Sequence, residues 1–492
     1  MQGVASSVRN SITILIAAIM AFILGYLYVQ TFAVGWRAIF MIHALVLFFL
    51  GCALFIRDLR SFLLFTMIFA IPLQYGYHLI YQPLIGVQTS PFSSGVRIDV
   101  VDVILLVLYM HWGFTSAQKQ LWHNRITLGH SLGKLFLIWI AYVAIAGVLS
   151  SEHLNYTLFE VMTLFQGFML FFYLTNNLSS ERDLRVLLYA LFANTIAHAL
   201  YIMMQYVTGF NYTVHGEAST HFVEQEGFRP AGFAGSWDAA AAMMHLVLPV
   251  LFAYYFIAKN RAWHRVALMG IGIVLLGLLL TKVRGAWIAT LVSAITVVTV
   301  SYLRGWISST QAFKVAAGGI AVLVLAAPFV VQRLITGAWG EDRLPLIYTA
   351  INMFKANWLL GVGANNYFFY IDQYLPISLR HTWEAGVHNE YLMWAAETGI
   401  PGFLLYYTLL LVMMKKLWKL TVSPDPWIYL ASLGFFAVML GSLPYRFTSP
   451  YFFQEVYSQF CVILAVTCLL EALEKKRLAE VRAGSQENRG IT

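Results

Sequence analysis

The residue types best suited to binding and transferring an anionic group occur in three short segments of the sequence. The first, residues 228–237, reads FRPAGFAGSW and surrounds Arg229 with one proline and two glycines, which favour a shaped turn. Ser236 can cap the apolar helix that follows. Because the amide groups at the start of a helix favour an anion, this segment predicts an anion site that includes Arg229.

The second segment joins two apolar stretches almost without a loop and carries two cations, Lys282 and Arg284. A tight turn between two membrane spans holds both side chains at the membrane surface, where such a pair suits a phosphate or diphosphate. A simpler interpretation is that both side chains only extend toward the polar interface. The sequence leaves both interpretations open.

His388 lies in the third segment, VHNEY at 387–391, just before another apolar stretch. Its imidazole titrates near neutral pH and can act as a general base, although His388 or Asn389 could instead serve only as a helix cap. Glu397 lies within the same stretch, about two and a half helical turns after His388. A carboxylate there is costly unless it faces protein or water, so Glu397 is a candidate for orienting a partner.

No motif for a metal or a nucleotide accompanies these segments. The sequence contains no Walker loop, HExxH or GxSxG, and its expected outer segments contain no acidic pair of the DxD type. Glu341 and Asp342 directly precede Arg343, which favours a local ion pair or cap. The three cysteines fall in apolar stretches and form no CxxC pair. The sequence therefore predicts neither a metal site nor any other cofactor.

The stretches that must position these residues are long and apolar. Hydrophobic residues make up 60% of the 492 residues and charged residues only 11%, against about 25% charged in a soluble domain. Blocks of about 20 apolar residues match the thickness of a bilayer core and lack the alternation of barrel strands. We predict an all-α polytopic membrane protein with about 14 (12–14) transmembrane helices. The candidate spans lie near residues 11–32, 37–56, 61–81, 98–114, 134–150, 156–177, 184–207, 237–258, 264–281, 285–303, 315–331, 390–414, 427–443 and 453–471.

The basic residues indicate which ends of the spans face the cytoplasm. The net charge is +8, but 21 of the 31 Lys and Arg residues fall in short segments on one side if the spans alternate. This bias predicts that both termini are cytoplasmic, and it argues against nucleic acid as a partner. The ten basic residues expected outside are Arg37, Arg97, Arg229, Lys282, Arg284, Arg333, Arg343, Lys355, Arg380 and Arg446.

Two of the expected outer segments are long, at 208–236 and 332–389. In the second, the apolar spacing of residues 346–358 predicts an amphipathic helix, so we expect a small helical cap on the extracytoplasmic face. The predicted domains are N-terminal transmembrane helices 1–207, an extracytoplasmic loop 208–236, transmembrane helices 237–331, a large extracytoplasmic loop or cap 332–389, C-terminal transmembrane helices 390–471 and a cytoplasmic tail 472–492.

Four local patterns together resemble the O-antigen ligase and polymerase superfamily of bacterial membrane proteins. They are FRPAGF at 228–233, VRGAW at 283–287, Asp342-Arg343 followed by LGVG at 360–363, and HNEYL at 388–392 leading to ETGIPG at 397–402. The last is the most specific, because a His-Asn pair precedes a GxxG at the entry to a span. The sequence departs from the family in one way: SWD at 236–238 stands where the family more often has Asn-Pro-Asn, which affects the geometry of the cap but not Arg229.

Members of this superfamily take a glycan from an undecaprenyl-diphosphate carrier at the outer leaflet and pass it to an acceptor hydroxyl, without a metal or nucleotide sugar. The resemblance implies an inverting glycosyltransferase of the bacterial plasma membrane with an extracytoplasmic active site. By motif, Arg229 and Arg284 would hold the diphosphate, and His388 would contact or deprotonate the acceptor hydroxyl. The residues expected to bind substrate beside them are Lys282, Arg343, Asn389 and Glu397.

The motifs leave the acceptor open. A polymerase would use another carrier-linked repeat unit, and we favour it because the sequence contains no separate domain for an acceptor protein. A ligase would use the same donor with a lipid core or a protein as acceptor. A transporter or flippase is the alternative of another class, and it is disfavoured because the candidate groups cluster at one face rather than at mid-membrane.

Overall fold

The computed structural model describes most of the chain after residue 57. The described ranges are residues 58–73, 76–82, 94–118, 126–210, 213–214, 217–218, 221–223, 227–257, 260–336, 343–375, 386–449 and 453–489. The predicted spans at 11–32 and 37–56 lie outside the described residues. Within the described ranges most residues are helical.

Helices form where the apolar stretches are longest. Numbered in chain order, they are α1 (Leu59–Phe69), α2 (Val100–Gln118), α3 (His130–Ser150), α4 (Leu154–Asn177), α5 (Glu181–Thr208), α6 (Trp237–Ile257), α7 (Arg261–Leu280), α8 (Arg284–Leu303), α9 (Ser309–Thr336), α10 (Arg343–Ala356), α11 (Ile371–Tyr374), α12 (Glu390–Leu420), α13 (Pro426–Tyr445) and α14 (Gln454–Arg489). In the described part of the chain nine helices, α3–α8 and α12–α14, are long and apolar enough to cross a membrane. The prediction of an all-α polytopic membrane protein is confirmed, and the total of about 14 spans stays a prediction.

Three pairs of short antiparallel strands interrupt the helices in the described ranges. The pairs are β1 (Gly76–Tyr81) with β2 (Gly95–Asp99), β3 (Thr213–Val214) with β4 (Glu217–Ala218), and β5 (His221–Val223) with β6 (Gly227–Arg229). The single helix predicted over 61–81 is therefore wrong in its second half, since α1 ends at Phe69 and β1 follows. Pro72 lacks a backbone N–H and disfavours helical geometry in the residue before it, which explains the stop.

The described residues fall into two compact units, one with residues 58–67 and 102–118 and the other with 68–101 and the described residues from 126 onward. In the second unit, α13 packs against α6 and α8, and α4 packs against α14. Glycines permit the close approach: a Cβ on Gly434 would collide with Val250 of α6, and one on Gly441 would collide with α8. Small residues at helix contacts are typical of membrane proteins.

Helix α12 is interrupted at Gly399, which adopts φ 64° and ψ −173°. A segment that we call the docked loop (residues 357–367) lies along the interruption. The N–H of Ile400 donates to the Trp358 carbonyl at 2.9 Å, and two N–H groups of the docked loop donate to the carbonyls of residues 396 and 397 at 3.0 and 2.9 Å. Unpaired backbone groups are costly inside a membrane, so the docked loop replaces hydrogen bonds that the broken helix lacks.

Replacing Gly399 with alanine is expected to destabilise the protein by about 1–3 kcal/mol. The backbone conformation at Gly399 is one that only glycine adopts readily, and an added Cβ would collide with the Leu359 carbonyl of the docked loop. Thermal unfolding in detergent measures the effect. Gly272→Ala on α7 is the matched control, since a Cβ there has open space; equal unfolding temperatures for the two variants would contradict the expectation.

Candidate functional site

Arg229 ends strand β6 and lies against the turn that follows α7. Its Nε atom donates a hydrogen bond to the Thr281 carbonyl oxygen at 3.2 Å. Its guanidinium lies over the Trp237 ring, 4.4 Å from the ring centroid, and the residue is only 9% exposed. The two contacts fix the guanidinium between the end of α7 and the start of α6.

The loop after Arg229 rests on the end of α5. Gly232 adopts φ 63°, and its N–H donates to the side-chain oxygen of Gln205 at 2.8 Å. A Cβ on Gly232 would collide with the His198 ring, so only glycine fits here. The Phe233 ring stacks on Tyr201, with centroids 4.1 Å apart. These contacts with side chains of α5 explain how a glycine-rich loop can hold an arginine in a defined place.

The turn with Lys282 and Arg284 lies directly beside Arg229. Lys282 adopts φ 59°, a left-handed conformation that is uncommon for a residue with a side chain. The Thr281 hydroxyl donates to the Leu278 carbonyl at 2.7 Å, which closes the end of α7, and Arg284 is the first residue of α8. Since Arg229 bonds to Thr281, the structure brings the first two predicted segments together. We call Arg229, Lys282 and Arg284 the cationic cluster.

The third predicted segment contains both a cap and an imidazole. Asn389 caps α12, because its Oδ1 accepts the N–H of Leu392 at 3.0 Å, which confirms the cap interpretation for this residue. His388 precedes the cap, and its Nδ1 lies 3.1 Å from the Gly386 carbonyl oxygen. A carbonyl oxygen only accepts, so Nδ1 carries the proton in this contact. In the neutral ring, Nε2 is then the proton-accepting atom.

The charge state of His388 depends on burial and on two nearby charges. Burial lowers the pKa of His388 below its ordinary value, the carboxylate of Asp238 raises it, and Arg343 lowers it further. The net effect is a lowered pKa, so the imidazole is neutral at neutral pH. Asp238 directly follows Trp237, the residue that Arg229 covers. The base candidate and the cationic cluster therefore both lie near the start of α6.

Tyr445, at the end of α13, connects these parts. Its hydroxyl donates to the Asp238 carbonyl oxygen at 3.2 Å, and a Cβ on Gly285, near the start of α8, would collide with the Tyr445 ring. The carbonyl of Arg446 accepts the N–H of Glu390 at 2.8 Å. The starts of α6, α8 and α12 thus meet around the end of α13.

Sequence reasoning missed a buried ion pair at this end of the helices. Arg446 pairs with Glu390. Both residues lie at the ends of apolar stretches. Because a lone buried charge is costly there, the sequence could have indicated that each of them needs a partner of opposite charge. Arg97 likewise contacts Asp99 and Glu455, each at 2.8 Å. Arg446 and Arg97, both among the basic residues expected outside, are therefore held by carboxylates of the protein itself.

Glu397 contacts the docked loop rather than His388. Its Oε1 accepts the N–H of Tyr367 at 3.1 Å, and the backbone amides of Asn365 and Asn366 also hydrogen-bond to the carboxylate. Its contacts are thus to consecutive amide groups at the end of the docked loop. The sequence made Glu397 a candidate for orienting a partner, and in the structure the group that it contacts is the docked loop.

Arg343 begins α10 and is exposed. Helix α10 confirms the helix predicted over 346–358. Its inner face, including Leu346 and Met353, packs into an apolar cluster that contains Val387, the residue before His388. The segment with the imidazole is therefore packed against α10. The position of this helix on the extracytoplasmic side stays a prediction.

The described residues include no group of three or more His, Cys, Asp or Glu that could hold a metal ion. The predicted site residues suited to an anion are the cations Arg229, Lys282, Arg284 and Arg343. Together these four cations are chemically suited to bind a multiply charged anion, and the neutral imidazole of His388 can accept a proton.

Similarity to known proteins is found in the second half of the sequence. Residues 269–407 match a family model described as O-antigen ligase. The matched stretch contains the predicted site residues from Lys282 to Glu397, whereas Arg229 precedes it. No curated protein matches the chain. A similar solved structure comes from work described as "Structural coordination of polymerization and crosslinking by a peptidoglycan synthase complex"; it is 18% identical over 68% of this chain and 95% of that chain, with a TM-score of 0.36.

Proposed function

We propose that the chain, whose residues 269–407 match the O-antigen ligase family model, acts as a member of the O-antigen ligase and polymerase superfamily and polymerises lipid-linked repeat units of a surface polysaccharide. In this reaction a glycan passes from an undecaprenyl-diphosphate carrier to a saccharide hydroxyl at the extracytoplasmic face. The hydrogen bond from Arg229 to Thr281 is the main support, because it joins Arg229 to the turn with Lys282 and Arg284. His388 lies near the same end of the helices.

The cationic cluster would bind the donor diphosphate. Guanidinium groups match phosphate oxygens with paired hydrogen bonds, which suits Arg229 and Arg284, while Lys282 adds a compact charge. During transfer, the bond between the anomeric carbon and the diphosphate oxygen breaks, and the electron pair stays on the diphosphate. Cations fixed in advance stabilise this growing negative charge. Arg343 gives supporting charge from α10.

His388 would act on the acceptor. As the acceptor oxygen attacks the anomeric carbon, its proton passes to Nε2 of His388, and the imidazolium later releases the proton to water. The bond from Nδ1 to the Gly386 carbonyl fixes the required tautomer. Attack opposite the leaving diphosphate inverts the anomeric centre. Asn389 supports this step by capping α12 and by offering an amide donor to a substrate hydroxyl, and Glu397 supports it through the docked loop.

The pH dependence of transfer follows from the two charges that act on His388. The base must be neutral, so activity falls as the pH drops through the pKa of His388, which lies below its ordinary value. Asp238→Asn removes an anion that raises this pKa and is expected to move the acid limb of kcat/KM to lower pH. Arg343→Gln removes a cation that lowers it and is expected to move the limb to higher pH. Shifts in the same direction would contradict the assignment of His388 as base.

Reconstitution in proteoliposomes with a synthetic undecaprenyl-diphosphate oligosaccharide tests the proposal, with and without a chelator. A ladder of products that persists in chelator is expected. A single transfer to an added lipid-core acceptor, without a ladder, would identify a ligase and contradict polymerisation. Substrate that crosses the vesicle membrane unchanged would contradict both and favour transport.

A further inference from the structure

Glu390 and Arg446 form the most deeply buried ion pair among the described residues, with exposures of 0% and 2%. The Nη1 group of Arg446 contacts the Glu390 carboxylate and also donates to the Tyr406 hydroxyl at 2.9 Å. The guanidinium faces the Tyr406 ring at 5.7 Å from its centroid. The pair therefore joins the first residue of α12 to the residue that follows α13, and a side chain on the second part of α12 holds it.

The same two helix ends are joined by other contacts. The N–H of Glu390 donates to the Arg446 carbonyl at 2.8 Å. The Tyr391 hydroxyl donates to the Leu443 carbonyl at 3.0 Å, and the Tyr391 and Phe447 rings lie 4.5 Å apart. A main-chain bond, a side-chain bond, a ring contact and an ion pair thus fix one junction between α12 and α13.

This junction is connected both to His388 and to Asp238, whose carboxylate acts on His388. His388 is two residues before Glu390 in the chain. On the other side, Tyr445 precedes Arg446 and bonds to the Asp238 carbonyl at 3.2 Å. Asp238 sits on α6 and Arg343 on α10, and these are the charged groups that act on the imidazole. A change in the junction would move His388 relative to Asp238.

We propose that Glu390 and Arg446 are positioning residues that hold the His388 base at its working distance from Asp238 and from the donor site. This inference rests on the proposed function. A buried ion pair is weak evidence for a role in stability, since apolar residues of similar volume often stabilise a fold equally well. A base, by contrast, must be held closely in place, because a displacement of about 1 Å can reduce a rate by about 100-fold.

The double variant Glu390→Leu/Arg446→Met tests the proposal in the full-length protein. It removes both charges and keeps apolar volume, so it is expected to fold with an unfolding temperature near that of the wild type. The kcat per folded molecule is expected to fall by about 10-fold or more, with the KM for the carrier-linked donor nearly unchanged. Arg446→Lys keeps the charge and is expected to retain part of the activity.

A second ion pair on α12 supplies the matched control. Lys416 contacts Glu471 of α14 at 2.6 Å, far along the helix from His388. The double variant Lys416→Met/Glu471→Leu is expected to keep the wild-type kcat. A wild-type kcat in Glu390→Leu/Arg446→Met would overturn the proposal. If the double variant does not fold, Arg446→Lys is tested in its place. An unchanged kcat together with a lowered unfolding temperature in Arg446→Lys would overturn the proposal.

A measurement that needs no glycan donor distinguishes this inference from the proposed function. The rate at which diethyl pyrocarbonate modifies His388, followed by peptide mass spectrometry against pH, reports the titration of the imidazole. The Glu390→Leu/Arg446→Met variant is expected to shift the midpoint, because His388 changes its position relative to the Asp238 carboxylate. An unchanged midpoint contradicts the inference, whereas a wild-type protein that modifies normally but transfers no glycan contradicts the proposed function alone.

Discussion

Replacing His388 with alanine is expected to reduce glycan transfer by about 10²- to 10⁴-fold, the range that general bases contribute. The imidazole is neutral at neutral pH, because burial lowers its pKa, and its Nε2 is the proton-accepting atom. Without it, the acceptor hydroxyl must attack while it still holds its proton. Single-turnover transfer at saturating donor and acceptor measures the chemical step directly.

The variant is expected to insert and accumulate normally. Asn389, not His388, supplies the cap of α12, so the helix start survives the substitution. His388→Gln serves as a second variant that keeps the hydrogen-bonding capacity of the position but cannot accept a proton at neutral pH. Full activity in either variant would remove His388 from the mechanism.

Replacing Arg284 with alanine is expected to reduce transfer by about 10²- to 10³-fold, the usual effect of removing one group that stabilises developing charge. Arg284→Lys is expected to recover only part of the loss, since an ammonium cannot form the paired bonds of a guanidinium. Arg229→Ala is expected to have a comparable effect on transfer. It is also expected to make the loop around residue 229 less ordered, because the contacts of Arg229 with Thr281 and Trp237 disappear.

Arg261→Ala is the matched control for Arg284→Ala. Arg261 is the first residue of α7, as Arg284 is the first residue of α8, but it lies at the other end of α7 from the cationic cluster. Its loss is expected to leave transfer unchanged. If Arg284→Ala kept the wild-type kcat at saturating donor, the diphosphate would have to bind elsewhere.

Much of the candidate site could be proposed from the sequence because its residues are conspicuous in an apolar chain. Arg229 stands in a segment that must turn, and the cation pair at 282–284 stands where two spans leave no room for a loop. The long helices followed from the length of the apolar blocks alone. Such signals are local, so a sequence pattern can reveal them.

Pairings between distant residues were not predictable. Glu390 and Arg446 are 56 positions apart, and neither flanking sequence indicates the other. The strand pair β1–β2 was missed because the apolar residues of 76–81 fit a span as well as a strand, and the choice depends on a partner at 95–99. Glu397 was placed near the chemistry by its position in a motif, whereas its partners are backbone amides of the docked loop, which carry no side-chain signature.

The docked loop has a consequence for how the protein is made. Residues 357–367 leave the ribosome before Gly399, so the loop already exists when the interrupted helix enters the insertion machinery. The interruption leaves backbone carbonyl and amide groups of α12 without partners inside the helix. They can enter the lipid at low cost only once the docked loop is in place to form hydrogen bonds with them. Insertion of α12 is therefore expected to depend on correct folding of the preceding segment, and shortening that segment is expected to produce chains that are synthesised but fail to accumulate in the membrane.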